Sequence, residues 1–301
     1  MPYRASIVIP LRKQSDAWLK QCVESALRQT VKCEVVVVTS PVTPESNRRV
    51  LERQQHGVSN LRVVEREPHM RFPAALNFGI RQAATDRIGF LLSDDWLQPK
   101  TVETCLRYDA DIVSTSRRFY AADGRTELKQ LRVRHTAGRW STLNANTERA
   151  KFLGYFFLFR RSALARAGGV DETLGDSPGV DDFDLIWTML ERGSSVAIVE
   201  ERLYNVRDHD GERLTTRNRD EMLVTFNRIL DKHGVYGAER DQMVREHSLW
   251  FGRSIESAYA EIARQQEVAQ VSPMQKVYRA LLPLETRLVV HERFMKLLGK
   301  G

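Results

Sequence analysis

Four short, mostly apolar runs and a fifth strand-like segment mark residues 5 to 115, and stretches of helical periodicity separate them. The runs are Ala5–Pro10, Val35–Val38, Leu61–Val64 and Ile88–Leu92, and the segment is Asp111–Thr115. Their length and apolar character read as buried strands. Ser15 can cap the helix after the first run, where Trp18, Leu19, Cys22, Val23, Ala26 and Leu27 recur at spacings of three and four. A polar helix over Glu45–Gln55 leads to Gly57, and Pro73 opens another that continues through Ala84. Strands that alternate with helices imply an α/β domain whose mostly parallel sheet carries helices on both faces.

The fourth run ends in Ser93-Asp94-Asp95-Trp96, and Pro99 opens the next helix. A buried strand fixes its own end, so the two carboxylates emerge as a positioned pair. The carboxyl ends of strands are where open α/β sheets bind ligands. Hard oxygen ligands at such a place suit Mg²⁺ or Mn²⁺ carrying a diphosphate. A solvated turn would have the same three residues, so the pair acquires meaning only from the rest of the chain.

Residues 116–150 break the alternation: they are polar and arginine-rich, with a hairpin signal at Asp123-Gly124. They read as an excursion above the sheet, not as a second domain. Regular structure resumes at Tyr155–Phe159, then Arg160-Arg161, a short helix and Gly168-Gly169-Val170-Asp171. Asp181-Asp182-Phe183-Asp184 precedes a helix that Gly193 ends, and Val196–Val199 and Leu203–Arg207 read as two further strands. From about Thr216 the pattern is helical. The expected organisation is one domain over residues 1–215 and a helical extension over 216–301. In the last segment Met274, Tyr278, Leu281, Leu284, Leu288, Met295 and Leu298 share one side, and six bases face two acids on the other.

The cysteines, Cys22, Cys33 and Cys105, are too few and too scattered for a disulfide framework or a zinc site. That favours a reducing, cytoplasmic compartment. The first strand begins too early to leave room for a secretory signal, and no apolar run approaches a membrane span. The net charge of +7 calls for an anionic partner. Much of it lies in the terminal segment, and the remainder is too modest to support nucleic-acid binding. The basic segment can rest on the inner face of an anionic membrane or pack on its own domain.

The order of these motifs resembles the family 2 inverting glycosyltransferases of the GT-A fold, over about residues 5 to 212. Ser6–Pro10 with Glu24–Thr30 is similar to that family's opening strand and first helix. Arg71–Ile80 is similar to its segment under the nucleotide. Leu92-Ser93-Asp94-Asp95 resembles its aspartate motif, Phe159–Glu172 its acceptor-side segment, and Val180–Leu185 its acidic motif with the catalytic base. The chain departs from the family at Val38-Thr39-Ser40-Pro41, where an Asp-Asp-Gly-Ser loop is usual. It departs again at Arg12-Lys13 in place of Tyr-Asn, at Leu92 in place of a further aspartate, and at Asp181 in place of glutamate.

The resemblance implies a single Rossmann-like GT-A domain with a C-terminal helical extension. It implies transfer of a sugar from a nucleotide-diphosphate donor to a glycan or lipid-linked acceptor. Pro10, Leu11, Arg12, Thr39, Arg71, Asn77, Ser93, Asp94 and Asp181 would line the nucleotide-sugar site, with Asp94 on the ribose. Asp95 and His209 would hold Mn²⁺ or Mg²⁺, and Asp182 would be the base. Arg207 and Arg213 are further candidates for the pyrophosphate. Each has a plainer alternative: helix-capping for Asp182, a solvated loop for His209, and core packing for Trp96 and Trp187, which could otherwise stack on sugars. The competing functions are a nucleotidylyltransferase, disfavoured by the lack of a glycine-rich, lysine-containing loop after the first strand, and a non-catalytic sugar-nucleotide-binding module.

Overall fold

A computed structural model describes residues 3–68, 70–131, 136–139, 157–174, 181–209 and 219–250. The basic segment 274–301 and Arg213 lie outside the described residues. The chain divides into two compact units, Met1–Glu212 and Arg213–Gly301.

The first unit is built on one sheet. Its strands are β1 (Ala5–Pro10), β2 (Cys33–Thr39), β3 (Leu61–Glu65), β4 (Arg87–Phe90), β5 (Trp96–Leu97), β6 (Ile112–Tyr120), β7 (Glu127–Leu131), β8 (Thr136–Arg139), β9 (Phe157–Arg160) and β10 (Ser195–Arg207). The order is β3-β2-β1-β4-β9-β6-β10-β5, with β7 on β6 and β8 on β10. β3, β2, β1 and β4 run parallel. β9 is antiparallel to both its neighbours, and β6 and β10 are again parallel. The strand ends of β4, β6 and β10 therefore point to the same edge as those of β1 to β3.

Every residue of β1 and β2 is buried, which explains their unbroken apolar runs. Ile7, Ile9, Val35 and Val37 share a cluster with Leu19, Cys22, Val23 and Ala26 of α1 (Asp16–Leu27) and Leu51 of α2 (Glu45–Gln55). The opposite face receives α3 (Phe72–Gln82) at Gly79, where an added Cβ would lie 2.3 Å from Val8 Cγ1. Only a residue without Cβ lets helix and strand approach this closely. Two short helices, α4 (Thr101–Cys105) and α5 (Arg161–Ala167), follow β5 and β9.

At the other end of the strands Glu34 is 2% exposed. It accepts hydrogen bonds from Ser6 Oγ (2.6 Å), Ala84 N (2.7 Å) and Arg62 Nη1 (2.8 Å), joining β1, β2 and β3 to the chain leaving α3. Burial alone would raise its pKa, but these donors prevail and lower it.

β10 corrects the expectation of two separate strands. It runs continuously for 13 residues beside β6, and register shifts between Val199 and Arg202 and between Arg202 and Tyr204 take up Glu200-Glu201. The Asp123-Gly124 signal closes the β6–β7 hairpin. Ala121 N donates to Thr126 O at 2.8 Å, and Asp123 accepts from the backbone of Arg125 and Thr126.

The second unit contains the helices Arg219–Lys232 and Gly237–Trp250. The expected apolar face, Met222, Leu223, Phe226, Ile229 and Leu230, is buried. Arg240 joins the two helices through Asn227 Oδ1 (3.0 Å) and Asp231 Oδ1 (2.6 Å).

Candidate functional site

The two acids after β4 occupy different environments. Asp95 is 3% exposed, and both its oxygens accept bonds from β10. Tyr204 Oη donates to Oδ2 at 2.5 Å, and Arg207 N donates to Oδ1 at 2.8 Å. Burial, then the charge of Asp95, pushes the Tyr204 phenol well above its ordinary value, so it stays protonated and donates. Burial and the charges of Asp95 and Asp94 also push the Cys22 thiol up. Its Sγ lies 3.3 Å from Leu92 O.

Asp94 is the more accessible carboxylate, with its side chain 23% exposed. Its Oδ2 lies 3.3 Å from His209 Nε2. The His209 ring packs on Trp18 of α1 at 4.6 Å between centroids. Among the described residues no three His, Cys, Asp or Glu side chains form a metal-holding group. The pair still fits a hard divalent ion: ligands at about 2.1 Å in adjacent octahedral positions stand roughly 3 Å apart. Such ions take few protein ligands and leave positions for water and phosphate oxygens.

Arg207 closes the strand that carries these contacts. It is 1% exposed and turned into the chain, so it does not present itself to a diphosphate as the sequence suggested. Its guanidinium sits 4.9 Å from the Trp18 ring and 4.9 Å from the Trp96 ring. Trp96 thus belongs to the frame of the site, and Trp187, 1% exposed and edge-on to Phe183, belongs to the core.

The other expected residues fall into three groups. Pro10, Leu11 and Thr39 are buried at the ends of β1 and β2, while Arg12 beside them is exposed. Ser93 Oγ accepts from Gln14 Nε2 at 3.4 Å, and Arg71 is exposed at the N-terminus of α3, on the same edge. Asn77 is a bridge within the protein. It donates to Val170 O (2.8 Å) and Glu172 Oε1 (2.9 Å) and accepts from Val170 N (2.9 Å). Gly169 is required beside it, since a Cβ there would lie 2.6 Å from Asn77 Oδ1 at φ +78°.

Asp181 and Asp182 open α6 (Asp181–Glu191). Asp181 is buried, at 2% exposure. Asp182, the second residue of the helix, accepts from Phe183 N at 2.8 Å, so its carboxylate pairs one N–H of the first turn. Burial raises the Asp182 pKa, and this outweighs the lowering by that bond and by the charge of Arg117 on β6. A carboxylate whose pKa is raised from its ordinary value is suited to taking up a proton.

Tyr204, Gln21 and Trp18 were not legible as parts of the site. The available signal was Tyr204-Asn205-Val206-Arg207, whose alternation puts Tyr204 and Val206 on the face opposite Asn205 and Arg207.

The sequence profile of glycosyl transferase family 2 matches residues 6–168, more than half of the chain. The O-antigen biosynthesis protein RfbC of Myxococcus xanthus is 25% identical over 205 residues, 67% of this chain and 16% of that protein. The uncharacterized glycosyltransferase EpsJ of Bacillus subtilis (strain 168) is 25% identical over 218 residues, 68% of this chain and 61% of its own length. This chain thus spans less than two thirds of either relative. Staphylococcus aureus TarS 1-349 in complex with UDP-GlcNAc has a TM-score of 0.62 at 17% identity, covering 82% of this chain and 73% of that one. The same TarS segment in complex with UDP gives 0.60 at 16% identity, covering 92% and 78%. At that identity the likeness carries the fold alone: an α/β domain of GT-A type.

Proposed function

Because this chain belongs to glycosyl transferase family 2, we propose that it moves a sugar from a nucleoside diphosphate donor to a glycan or lipid-linked acceptor. The transfer inverts the anomeric carbon and serves cell-surface polysaccharide assembly, the latter in keeping with the name of one relative, an O-antigen biosynthesis protein. The observation that carries this reading is the Asp94–His209 pair at the strand-end edge, with Asp182 raised in pKa on a separate segment.

In this proposal Asp94 takes the metal role expected for Asp95, and Asp95 becomes a structural group. Asp94 and His209 hold the divalent ion, because Asp94 is accessible and faces the imidazole. Asp95 holds the loop, because Tyr204 and Arg207 N already occupy its oxygens. A bound Mn²⁺ or Mg²⁺ supplies Lewis-acid stabilisation to the departing diphosphate. Asp182 takes the proton of the acceptor hydroxyl as that oxygen attacks from the face opposite the leaving group. Arg71, exposed on the same edge, contributes positive charge toward the phosphates.

The test is thermal unfolding with UDP, GDP and dTDP, each with and without Mn²⁺. A ligand at about 100 times its Kd adds roughly 2.7 kcal/mol of stability when it binds only the folded state. One nucleotide should raise Tm, with a larger rise when Mn²⁺ is present. No rise with any of them would remove the donor-binding reading.

A further inference from the structure

We propose that Arg207 is a positioning residue that sets the Asp94–His209 pair and couples it to the turn of the β6–β7 hairpin. The inference rests on the proposed role of that pair as the metal site. Three side-chain bonds leave the guanidinium in three directions. Nε donates to Asp94 O at 3.0 Å, Nη1 donates to Ala122 O at 2.8 Å, and Nη2 donates to Gln21 Oε1 of α1. The guanidinium carbon lies over both the Trp18 and the Trp96 rings, 4.9 Å from each centroid. Trp18 is also the ring against which His209 packs.

Both members of the pair therefore refer to one group. Asp94 is tied through its own carbonyl. His209 is tied twice, by the chain two residues beyond Arg207 and by the shared Trp18 ring. The hairpin is tied through Ala122, and its Gly124 leaves no spare room: a Cβ there would lie 2.6 Å from Nη1. A movement of the turn at residues 121–126 is thus transmitted through the guanidinium to the Asp94 backbone. Lysine could not replace it. Its point charge has no planar fork, so it cannot serve the three acceptors from one rigid group while lying against two rings.

The experiment is calorimetric titration of the full chain with UDP, with and without Mn²⁺, in wild type, Arg207→Lys, Gln21→Ala and Asp94→Ala, with folding checked by circular dichroism. UDP is replaced by GDP or dTDP if the thermal panel selects one of them. The quantity read is the Mn²⁺-dependent gain in nucleotide affinity. Asp94→Ala should abolish that gain. Arg207→Lys should reduce it at least tenfold while metal-free nucleotide affinity stays within about twofold. Gln21→Ala, which removes one of the three partners, should reduce it by a smaller factor.

A wild-type gain in Asp94→Ala would sink the metal assignment itself, separately from the role of Arg207. A full gain in Arg207→Lys, with Asp94→Ala inactive in the assay, would overturn the positioning role and leave Arg207 as a packing group. If Arg207→Lys does not fold, Gln21→Ala decides: an unchanged gain there overturns the proposal, and a reduced one supports it.

Discussion

Asp94 and Asp95 are chemically identical neighbours, and their surroundings divide the labour between them. For Asp95, the measure of its role is stability. Asp95→Asn keeps the shape but points an amide N–H₂ toward either Tyr204 Oη or Arg207 N. Tyr204 can turn its hydroxyl to accept, but the backbone N–H cannot. The amide therefore faces its N–H₂ to Tyr204 Oη and keeps Arg207 N, and the tyrosine O–H that loses this acceptor costs about 1–3 kcal/mol, a fall of roughly 2–12 °C in Tm for a unit of this size. Thermal unfolding at pH 7 checks it, and an unchanged Tm would show the Tyr204 bond to be dispensable. For Asp182 the measure is rate. Asp182→Asn should leave donor affinity near wild type and lower turnover by roughly two to four orders of magnitude. The raised pKa adds a sign. Such a group favours the folded state below its unfolded pKa and opposes it once pH rises through the folded value. At pH 7 the Asn variant should therefore be at least as stable as wild type while far less active. The acid limb of the wild-type kcat/KM profile should lie above about pH 4, the ordinary aspartate range, and a limb at or below that range would assign the base elsewhere. None of this division was legible in the sequence. Two adjacent acids at a strand end look alike until the partner strand, more than a hundred residues on, supplies donors to one of them.

Among the elements, α3 and its seat on β1 are the most sensitive to a single atom. Gly79→Ala gains about 1 kcal/mol of helix propensity but drives a methyl into Val8 Cγ1. Overpacking of this kind costs about 1–3 kcal/mol, so the net change should be destabilising. Adding Val8→Ala should recover part of the loss, and strict additivity of the two changes would show that they do not meet. The opposite end of the same strands depends on pH. The lowered pKa of Glu34 means its contribution is full above the unfolded value, about 4.3, and is lost as pH falls through the lower folded value. The Tm difference between wild type and Glu34→Gln should therefore be largest near pH 7 and shrink below about pH 4. A difference independent of pH would remove the charge from the account. β1, β2 and α2 were readable because burial on both faces leaves an apolar run, and because α2 has clear limits at Pro44 and Gly57. β5 was not, since two residues, Trp96-Leu97, carry no periodicity. β10 reads as two strands because Glu200-Glu201 interrupt its apolar pattern, whereas the ladder passes them by shifting register.

At the scale of the molecule, alternation of strand and helix conveyed the α/β class, and the order of short motifs conveyed the family. Neither conveyed the reversed strand β9 between β4 and β6, because pairing direction is decided by contacts remote in sequence. The prediction at this scale concerns the basic segment 274–301, whose apolar stripe and opposing bases motivate a contact with an anionic membrane. Among the described residues no helix is long and apolar enough to cross a membrane. Full-length protein should sediment with anionic liposomes at low salt, less so at high salt. Deleting residues 274–301 should reduce this, and indifference of the full chain to such liposomes would leave the segment without that role.

The bonds that fix Asp95 reach 109 and 112 residues along the chain, and the bond from Arg207 to Gln21 reaches 186. A ribosome adding about 5–20 residues per second therefore delivers the acids roughly 6–22 s before the residues that position them. During that interval β1 to β4 can already pair, while the carboxylates after β4 stand without Tyr204, Arg207 or His209. The newborn domain is thus assembled around a centre that is chemically present and geometrically unset, and its proposed capacity to hold a charged donor arrives in one late step, when β10 slides in beside β6.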